Sequence, residues 1–420
     1  MLDCLPRYGI LWWVQKLTNI TKLTKELNSN MYDICVVTGT RADYGFLRPL
    51  MFRLNKSELV DLKLVVTGSH LSKKFGNTQD EIIADGFSIY KKLFIPLDDD
   101  SKLGMTISAS VEMQCAAELF SKYIPDAIVL LGDRYEILSV ALAAFFAGIP
   151  IIHISGGDIT EGAVDNVIRH CLTKISSLHF PGCMDSAKRI IQMGEQPNIV
   201  FNVGELGVEN CLKTKLMSRQ ELSTNLDVKF VNGKYSVVTF HPVTMEDNTA
   251  EEQVYELIKA MNSFEDMSYI ITLANADSGG RVINEIWNQE KDKHSNWLVI
   301  SSLGLVRYLT AVKYAKLVIG NSSSGIIEAP SLGTPTINIG DRQKGRMMAE
   351  SVICCAPHCE DIVNAMRKGV EADFQKMSLH VKSPFGDGTT SEQIMEKILA
   401  FLSDKNKTRE KHFYDIDFSI

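Results

Sequence analysis

The sequence lacks the features that mark several common functional classes. Its 44 lysines and arginines are outnumbered by 51 aspartates and glutamates, which gives a net charge of −7, and no basic block offsets this excess. A nucleic-acid-binding surface is therefore not expected. The apolar stretch at residues 8–14 is too short to span a bilayer, and no small-residue cleavage site follows it. These absences predict a cytoplasmic protein with no membrane segment.

The nine cysteines lack the spacing of a metal site or a disulfide framework. No Cys-x-x-Cys pair occurs, and the only close set is Cys354, Cys355 and Cys359, which we expect to be ordinary half-buried thiols rather than a zinc site. The phosphate loops G-x-x-x-x-G-K-[S/T] and G-x-G-x-x-G are also missing. ATP hydrolysis and nicotinamide chemistry are poorly supported as a result, and no cofactor is expected.

Short apolar, β-branched runs recur along the chain, and most of them end in a polar or glycine-containing turn. They cover residues 34–38, 62–67, 127–131 and 149–154 in the first half, and 235–240, 269–273, 297–300, 317–319 and 336–339 in the second half. Helix-like segments alternate with them, among them residues 44–55 and a last helix at about 390–402. This alternation predicts an α/β protein with two Rossmann-like, doubly wound domains that face each other across a cleft.

The same pattern divides the chain into four expected segments. Residues 1–30 look unlike the remainder and are expected to be a disordered extension upstream of a native start at Met31. The first domain is expected at 31–204 and the second at 205–388. Residues 389–420 then supply a C-terminal helix and a tail.

Ionisable side chains follow the strands of the first half. Those selected as candidate site residues are Arg41, Asp43, His70, Asp133, Arg134, Asp158 and Asp165. Taken singly, each is as typical of a helix cap or a solvated loop charge. Parallel topology, however, brings such turns to one edge of a sheet. Carboxylates near a histidine are the groups that proton transfer requires, so this edge is predicted to perform acid–base chemistry.

The second half offers hydroxyls, cations and a helix start. Its candidate residues are His241, Asn275, Asp277, Ser322, Ser323, Gly325, Glu328 and Arg342. The sequence Asn-Ser-Ser-Ser-Gly at 321–325 follows a buried strand and predicts a helix whose first N–H groups are suited to phosphate. Arg342 or Arg346 could bind a diphosphate, although both are also compatible with plain surface cations.

Six motifs together resemble one enzyme family. The chain is similar to the hydrolysing UDP-N-acetylglucosamine 2-epimerases at Thr-Gly-Thr-Arg-Ala-Asp-Tyr (38–44), Gly-Ser-His-Leu (68–71), Gly-Asp-Arg (132–134), Ile-Arg-His (168–170), His-Pro (241–242) and Asn-Ser-Ser-Ser-Gly (321–325). The resemblance covers about residues 31–388. It implies a fold like that of the GT-B glycosyltransferases, with the last helix returning to the first domain. It also implies a homodimer or homotetramer that needs neither metal nor redox cofactor.

The resemblance implies a mechanism and a role for each candidate residue. A base removes the proton at C2 of the UDP-sugar while UDP leaves, and water and a proton then add to the resulting glycal with inversion at C2. The products are N-acetylmannosamine, a precursor of sialic acid, and UDP. By family analogy the diphosphate is held by Ser322, Ser323 and Arg342, the ribose by Glu328, and the phosphates or sugar lie near His241. The sugar side is lined by Arg41, Asp43, His70, Asp133, Arg134 and Asp165.

The chain departs from the family pattern at two positions. Animal members have a glutamate where this chain has Ser155 and a second aspartate where it has Asn166, and a serine cannot act as that general acid or base. Asp133, Asp158 or Asp165 must then carry the proton transfers, and we favour Asp133 with Asp165. The sugar-kinase domain of the animal bifunctional enzyme is also missing from this sequence.

Other activities remain open at the level of sequence. A sister enzyme that hydrolyses UDP-2,4-diacetamido-2,4,6-trideoxyglucose (UDP-N,N'-diacetylbacillosamine) on the route to legionaminic acid shares the motifs. The non-hydrolysing epimerase is disfavoured by the motif at 38–44 and by Gly-Gly-Asp at 156–158. A GT-B glycosyltransferase would need an acceptor before UDP is released. A nucleotide-sugar binding protein without catalysis is disfavoured by the many ionisable groups at strand ends.

Overall fold

The structure, a computed structural model, describes residues 31–99, 101–160, 164–242, 250–274, 280–404 and 410–417. The expected extension at 1–30 lies outside the described residues, as do the candidate residues Asn275 and Asp277. The described residues form two six-stranded sheets and fifteen α-helices. Every strand pairing in both sheets is parallel.

The first half of the chain builds one sheet. Its strands are β1 (Tyr32–Thr38), β2 (Val60–Val66), β3 (Ile89–Lys92), β4 (Ala127–Leu131), β5 (Ile151–Ile154) and β6 (Leu178–Phe180). Its helices are α1 (Arg41–Asn55), α2 (Gln79–Ala84), α3 (Lys102–Phe120), α4 (Tyr135–Phe146), α5 (Asp165–Ile175) and α6 (Met184–Gln192). The strands lie in the order β3-β2-β1-β4-β5-β6.

The second half repeats this arrangement after two connecting helices, α7 (Leu206–Lys213) and α8 (Arg219–Leu226). Its strands are β7 (Tyr235–Thr239), β8 (Ser268–Thr272), β9 (Trp297–Ile300), β10 (Val318–Gly320), β11 (Thr336–Ile339) and β12 (Val352–Cys355). Its helices are α9 (Ala250–Asn262), α10 (Gly280–Glu290), α11 (Gly304–Tyr314), α12 (Ser323–Leu332), α13 (Cys359–Val370) and α14 (Ala372–Ser378), and a last helix, α15 (Thr390–Ser403), follows. The strand order is β12-β11-β10-β7-β8-β9.

Both sheets have the strand order of a doubly wound fold, so each has one point where the chain direction across the sheet reverses. These switch points lie between β1 and β4 and between β7 and β10. Loops diverge there at the carboxyl ends of the strands and leave a crevice for a ligand. The predicted fold class is therefore confirmed, and the described candidate residues lie on the loops that follow the strands or in the helices that begin after those loops.

All nine strands predicted from the sequence are present, with ends that move by no more than about two residues, as is usual for element boundaries. The structure adds β3, β6 and β12, which the sequence analysis missed. They are short strands of three or four residues at the ends of the sheets, and most of β3 and β12 is incompletely buried. β3 (Ile-Tyr-Lys-Lys) lacks the continuous apolar run that marks a central parallel strand, whereas β6 and β12 are too short, at three and four residues, to stand out.

Helix α1 begins earlier than predicted because a capping box forms at its start. The Thr40 side chain accepts a hydrogen bond from the Asp43 backbone N–H at 3.2 Å, and Asp43 Oδ2 accepts one from the Thr40 N–H at 3.0 Å. This reciprocal pair satisfies two backbone donors that the helix leaves unpaired. The helix consequently starts at Arg41 rather than at residue 44.

The last helix packs against the first half of the protein, as the family resemblance implies. Ile394, Ile398 and Leu402 of α15 are buried in the same apolar cluster as β1 and α1. At its start the Thr390 hydroxyl donates to the Val203 carbonyl at 2.9 Å. The predicted helix at 390–402 is confirmed to within one residue.

Two features are absent from the described part of the chain. No helix there is both long and apolar enough to cross a membrane. No group of three or more histidine, cysteine or acidic side chains is placed to hold a metal ion among the same residues. Cys354 and Cys355 lie on β12, Cys359 opens α13, and all three are free thiols.

Candidate active site

The two halves meet through an ion pair between loops at their strand ends. Arg346 follows β11 of the second sheet, and its Nη2 lies 3.0 Å from Oδ2 of Asp158, which follows β5 of the first sheet. Both side chains are almost fully buried, at 10% and 6% exposed. Gln343 accepts a hydrogen bond from Arg346 Nη1 at 3.1 Å. The carboxyl ends of the two sheets are thus close enough for one ligand to contact both.

Arg169 binds the carboxylate of Asp133 and the backbone carbonyl of Asp158. From α5 it donates from Nε to Asp133 Oδ2 at 2.9 Å and from Nη1 to the Asp158 carbonyl at 2.7 Å, and it is only 2% exposed. Burial alone would raise the pKa of Asp133. The positive charges of Arg169, Arg346 and Arg134 outweigh that effect and lower the pKa of Asp133 below its usual range. Asp133 is therefore held as a carboxylate at neutral pH.

Asp165 begins the helix that carries Arg169, one turn before it, and is partly exposed. Burial disfavours the protonated form of Arg169, whereas the negative charges of Asp133 and Asp158, and less strongly that of Asp165, raise its pKa. Arg169 therefore contacts the Asp133 carboxylate and the Asp158 backbone carbonyl, and Asp165 contributes through its charge. Asp158 is further fixed by the Ser186 hydroxyl, which donates to its Oδ1.

The loop after β1 leads directly into the first turn of α1, which carries Arg41 and Asp43. Burial raises the pKa of Asp43 to about 6, against the opposing charge of Arg134. Arg134 itself forms an ion pair with Glu136 at 3.1 Å. Burial also lowers the pKa of Arg41, and the like charge of Arg307 on α11 adds to that effect. Two arginines from opposite halves are thus near enough to repel each other, which an anionic ligand between them would relieve.

His70 is completely buried beside this loop. Its Nε2 lies 3.0 Å from the Thr38 hydroxyl and its Nδ1 lies 2.7 Å from the Thr78 hydroxyl. Burial lowers the pKa of His70 to about 4, so the ring is neutral at physiological pH. Both ring nitrogens have partners within the protein, which makes His70 suited to holding the loop in place.

On the other side of the cleft, α12 starts with the predicted hydroxyls. Ser322 is its N-cap and accepts a hydrogen bond from the Ser324 N–H at 3.3 Å, and Ser323 is the first helical residue. The Tyr308 hydroxyl donates to Ser324 Oγ at 2.7 Å. Glu328, in the second turn, is 6% exposed, and burial raises its pKa to about 7. The N–H groups and partial positive charge of this helix start favour an anion.

Asn321 fixes the switch point of the second sheet. Its side chain exchanges two hydrogen bonds with the backbone of His241, at 2.7 and 2.8 Å, and so ties the loop after β10 to the loop after β7. Its carbonyl accepts from Arg342 at 3.0 Å and from Gln343 at 2.9 Å. Gly325 lets α12 approach β11, because an added Cβ would lie 2.8 Å from the Thr336 methyl. These contacts bring His241, Arg342 and the start of α12 together.

Comparison with known proteins identifies the family. The family model described as UDP-N-acetylglucosamine 2-epimerase matches residues 53–399. The chain belongs to this family. The resemblance read from the six motifs is thereby confirmed.

Relatives of this epimerase family cover nearly the whole chain. The polysialic acid biosynthesis protein P7 of Escherichia coli is 39% identical over 92% of this chain and 98% of its own length. The GDP/UDP-N,N'-diacetylbacillosamine 2-epimerase (hydrolyzing) of Campylobacter jejuni is 38% identical over 82% of this chain and 88% of its own. The crystal structure of the Neisseria meningitidis UDP-GlcNAc 2-epimerase bound to UDP-GlcNAc superposes with a TM-score of 0.74 at 17% identity, covering 88% of this chain and all of that one. This last likeness confirms the GT-B-like fold.

One buried carboxylate of this epimerase-family enzyme was missed by the sequence analysis. Glu205 precedes α7 and is 4% exposed, and its Oε2 accepts a hydrogen bond from Ser155 Oγ at 2.6 Å. Burial, assisted by the negative charge of Asp158, raises the pKa of Glu205 to about 7. The available signal was a lone glutamate inside the otherwise apolar stretch at 203–208. Arg169 belongs to the Ile-Arg-His motif at 168–170, but the sequence analysis assigned it no role.

Proposed function

We propose that this enzyme is a hydrolysing UDP-N-acetylglucosamine 2-epimerase, which converts UDP-N-acetylglucosamine and water to N-acetylmannosamine and UDP for sialic acid biosynthesis. The observation that carries the proposal is the ion pair between Arg346 and Asp158 at 3.0 Å. It places a helix start and several arginines of the second half opposite the carboxylates of the first. An anionic leaving group and a proton-transfer site are then adjacent.

The second half supplies the groups that UDP would need. The start of α12, with Ser322 and Ser323, offers N–H groups and hydroxyls to a diphosphate, and Arg342 lies beside it through Asn321. Positive groups fixed in this way stabilise the charge that develops on a departing diphosphate. Glu328, deeper in the same helix, is the proposed partner of the ribose hydroxyls.

The first half supplies the groups that proton transfer would need. Removal of the C2 proton requires a carboxylate that is ionised before substrate binds, and the arginines around Asp133 keep it so. Arg169 contacts the Asp133 carboxylate and the Asp158 backbone carbonyl, and the charge of Asp165 on the same helix acts on Arg169. Release of free sugar, rather than of an epimerised UDP-sugar, is supported by the Campylobacter relative whose name includes "hydrolyzing".

The decisive experiment is NMR of the purified protein incubated with UDP-N-acetylglucosamine in deuterated water, without acceptor, metal or nicotinamide. We expect free UDP and N-acetylmannosamine that carries deuterium at C2. Retention of UDP on an epimerised sugar would instead indicate the non-hydrolysing reaction. Release of UDP only when an acceptor is added would indicate a glycosyltransferase.

A second candidate substrate is UDP-2,4-diacetamido-2,4,6-trideoxyglucose, on the route to legionaminic acid. It is favoured by the 38% identity to the Campylobacter diacetylbacillosamine epimerase, close to the 39% for the polysialic acid protein. The same NMR assay with this sugar nucleotide separates the two candidates. Turnover of the trideoxy sugar alone would move the enzyme to the legionaminic route.

The proposal also covers the location of the protein in the cell, its oligomeric state and its domain boundaries. We propose a cytoplasmic homodimer or homotetramer, with a first domain at 31–204, a second at 205–388 and a C-terminal segment at 389–420 that returns to the first. Light scattering of the purified protein tests the oligomer, and limited proteolysis tests the boundaries.

A further inference from the structure

A serine in an unusual backbone conformation contacts a buried glutamate at the edge of the site. Ser155 directly follows β5 and has a φ of 62°, in the left-handed region that a non-glycine residue rarely adopts. In this conformation its Oγ donates a hydrogen bond to Glu205 Oε2 at 2.6 Å. Backbone strain of this kind persists where the surroundings enforce it and clusters at functional sites.

The fold keeps room for the Glu205 carboxylate. A Cβ added at Gly182, which follows β6, would collide with Glu205 Oε1, so only glycine leaves that space. The Glu205 backbone is also anchored, because its N–H donates to the Phe385 carbonyl at 2.7 Å. Glu205 is 4% exposed, whereas Ser155 is partly exposed. Ser155 is therefore the more accessible member of this pair.

Four ionisable groups from different elements face Glu205. Burial and Asp158 raise the pKa of Glu205 to about 7, whereas Arg346 and Arg169 oppose this rise. The Cys183 thiol, next to α6, is the fourth group. The pKa of Asp133, in contrast, is lowered. Enzymes can make one carboxyl group an acid and another a base by placing them in environments that shift their pKa values in opposite directions.

We propose that Ser155 and Glu205 together protonate C2 of the glycal, with Ser155 as the catalytic donor and Glu205 as the positioning residue that acts through it. The pair would replace the glutamate that animal family members have at the position of Ser155. This inference rests on the proposed hydrolysing activity. A serine alone cannot be that general acid, and the expectation that the aspartates carry both proton transfers is revised here only because Glu205 supplies the proton that Ser155 passes on.

The proton and electron balance of the proposed cycle closes. In the elimination, Asp133 takes the C2 proton, the C–H electron pair forms the C1=C2 bond, and the C1–O bond breaks with its pair leaving on UDP. In the addition, the Ser155 hydroxyl turns its proton from Glu205 toward C2, and protonated Glu205 then donates to Ser155 Oγ. The double-bond pair takes the Ser155 proton at C2, and Glu205 passes its own proton to Oγ. Water adds at C1, and the proton that it loses restores Glu205. Asp133 returns its proton to solvent.

The variant Glu205→Gln tests the pair, since an amide cannot pass on that proton. We expect UDP affinity within about twofold of wild type and formation of N-acetylmannosamine reduced about 100-fold or more. UDP should then exceed N-acetylmannosamine, with the difference recovered as 2-acetamidoglucal. Wild-type kcat should fall as the pH rises above about 7, because Glu205 must be protonated, and the variant should lose that fall.

Matched variants separate this role from a structural one. Ser155→Ala should give the same excess of UDP, and the double variant should be no slower than either single one, because the two groups act as a unit. Ser155→Glu combined with Glu205→Ser should restore part of the activity. Glu209→Gln is the control, a buried glutamate on α7 whose partners are Ser391 and Lys213. It should lower Tm without changing the ratio of products.

The outcomes distinguish the inference from the proposed function. If wild type releases N-acetylmannosamine and Glu205→Gln does so at a similar rate with an unchanged pH profile, the pair has no role in proton transfer. If Glu205→Gln does not fold, equal amounts of UDP and N-acetylmannosamine from Ser155→Ala at a normal rate lead to the same conclusion. If wild type turns over neither UDP-sugar, it is the proposed function that fails.

Discussion

Asp133 and Arg169 show how one buried contact sets both the charge and the orientation of a carboxyl group, the one that we propose as the base. Arg169 is 2% exposed and its guanidinium contacts Asp133 and the Asp158 carbonyl together. A buried arginine cannot lose its proton, so its neighbours must supply negative charge. Asp133 is thereby kept ionised and in one orientation. We propose that the same contact serves both stability and chemistry.

We predict that Asp133→Asn abolishes turnover while UDP binding is retained. The amide keeps the shape but cannot accept the C2 proton, so kcat should fall by about 100-fold or more. Calorimetry with UDP should show an affinity within about threefold of wild type, because the proposed diphosphate contacts lie in the second half. Near-normal turnover would reassign the proton abstraction to Asp158 or Asp165.

Arg342→Ala is the matched contrast to this variant. It removes a cation beside the start of α12 and should weaken UDP binding about tenfold or more, the effect expected for one charge-assisted hydrogen bond. An unchanged calorimetric affinity would remove Arg342 from the diphosphate site. Arg281→Ala, on the exposed face of α10, is the control and should leave UDP affinity unchanged.

The difference in stability between the wild type and Asp133→Asn should depend on pH, and its sign follows from the pKa of Asp133. The lowered pKa of Asp133 means that it stabilises the folded state above the unfolded value near 3.8, and that this contribution is lost as the pH falls. Breaking one partner of a buried pair costs up to about 3 kcal/mol here, since Asp133 is still 24% exposed. Tm should therefore be lower than that of wild type at pH 7, and the two should converge in acid.

At the scale of single elements, α3 carries a glutamate on its buried face. Glu112 is completely buried, and its Oε2 accepts a hydrogen bond from Thr67 at 2.6 Å. Its Oε1 has no hydrogen-bond partner among the described residues. Burial, with a smaller contribution from Glu136, raises the pKa of Glu112 to about 8. The side chain is thus a neutral acid at physiological pH.

We predict that Glu112→Gln makes the protein more tolerant of alkaline pH. Because the folded-state pKa is raised from 4.5 to about 8, the wild type loses stability as the pH rises between these values. Glutamine has no charge to bury. The free energy of unfolding of the variant, relative to that of the wild type, should therefore increase by up to about 4 kcal/mol between pH 5 and pH 9. Thermal unfolding across this range measures the difference. Glu118→Gln, exposed on the same helix, should show no such gain.

For the whole molecule, α15 is the element that ties the end of the chain to the first sheet. Its buried residues Ile394, Ile398 and Leu402 join the core of β1 and α1. Ser391, in its first turn, bonds through its N–H and hydroxyl to Glu209 of α7 at 2.6 and 2.7 Å. A segment more than 180 residues away in sequence thus completes the first half.

We predict that Ile398→Ala destabilises the first half selectively. Deleting this fully buried side chain should cost about 2–5 kcal/mol, from lost burial and the cavity left behind. Hydrogen exchange should rise in β1 and β4 of the first sheet and change little in the second sheet. The control is Glu396→Ala on the exposed face of the same helix. Equal loss of protection in both sheets would show that the halves unfold as one unit.

The sequence by itself determined what depends on local pattern. Nine strands, the helix at 323–332 and the turns that carry polar residues all follow from apolar periodicity and from glycine and hydroxyl residues at strand ends. Parallel topology then assigns those turns to one edge of each sheet. For the same reason Ser322, Asp133 and Arg342 were predicted as site residues before their contacts were known.

Only the tertiary structure decided what depends on contacts between distant segments. Ser155 and Glu205 are 50 residues apart, Asp133 and Arg169 are 36 apart, and the pair of Arg346 with Asp158 joins the two halves. Side-chain direction, burial and mutual charge arise from packing, and these set the protonation of a carboxyl group. The periodicity of the sequence does not predict these contacts between distant residues. Local motifs were enough to predict the family, whereas the contact of the buried acid Glu205 with Ser155 depends on the folded structure.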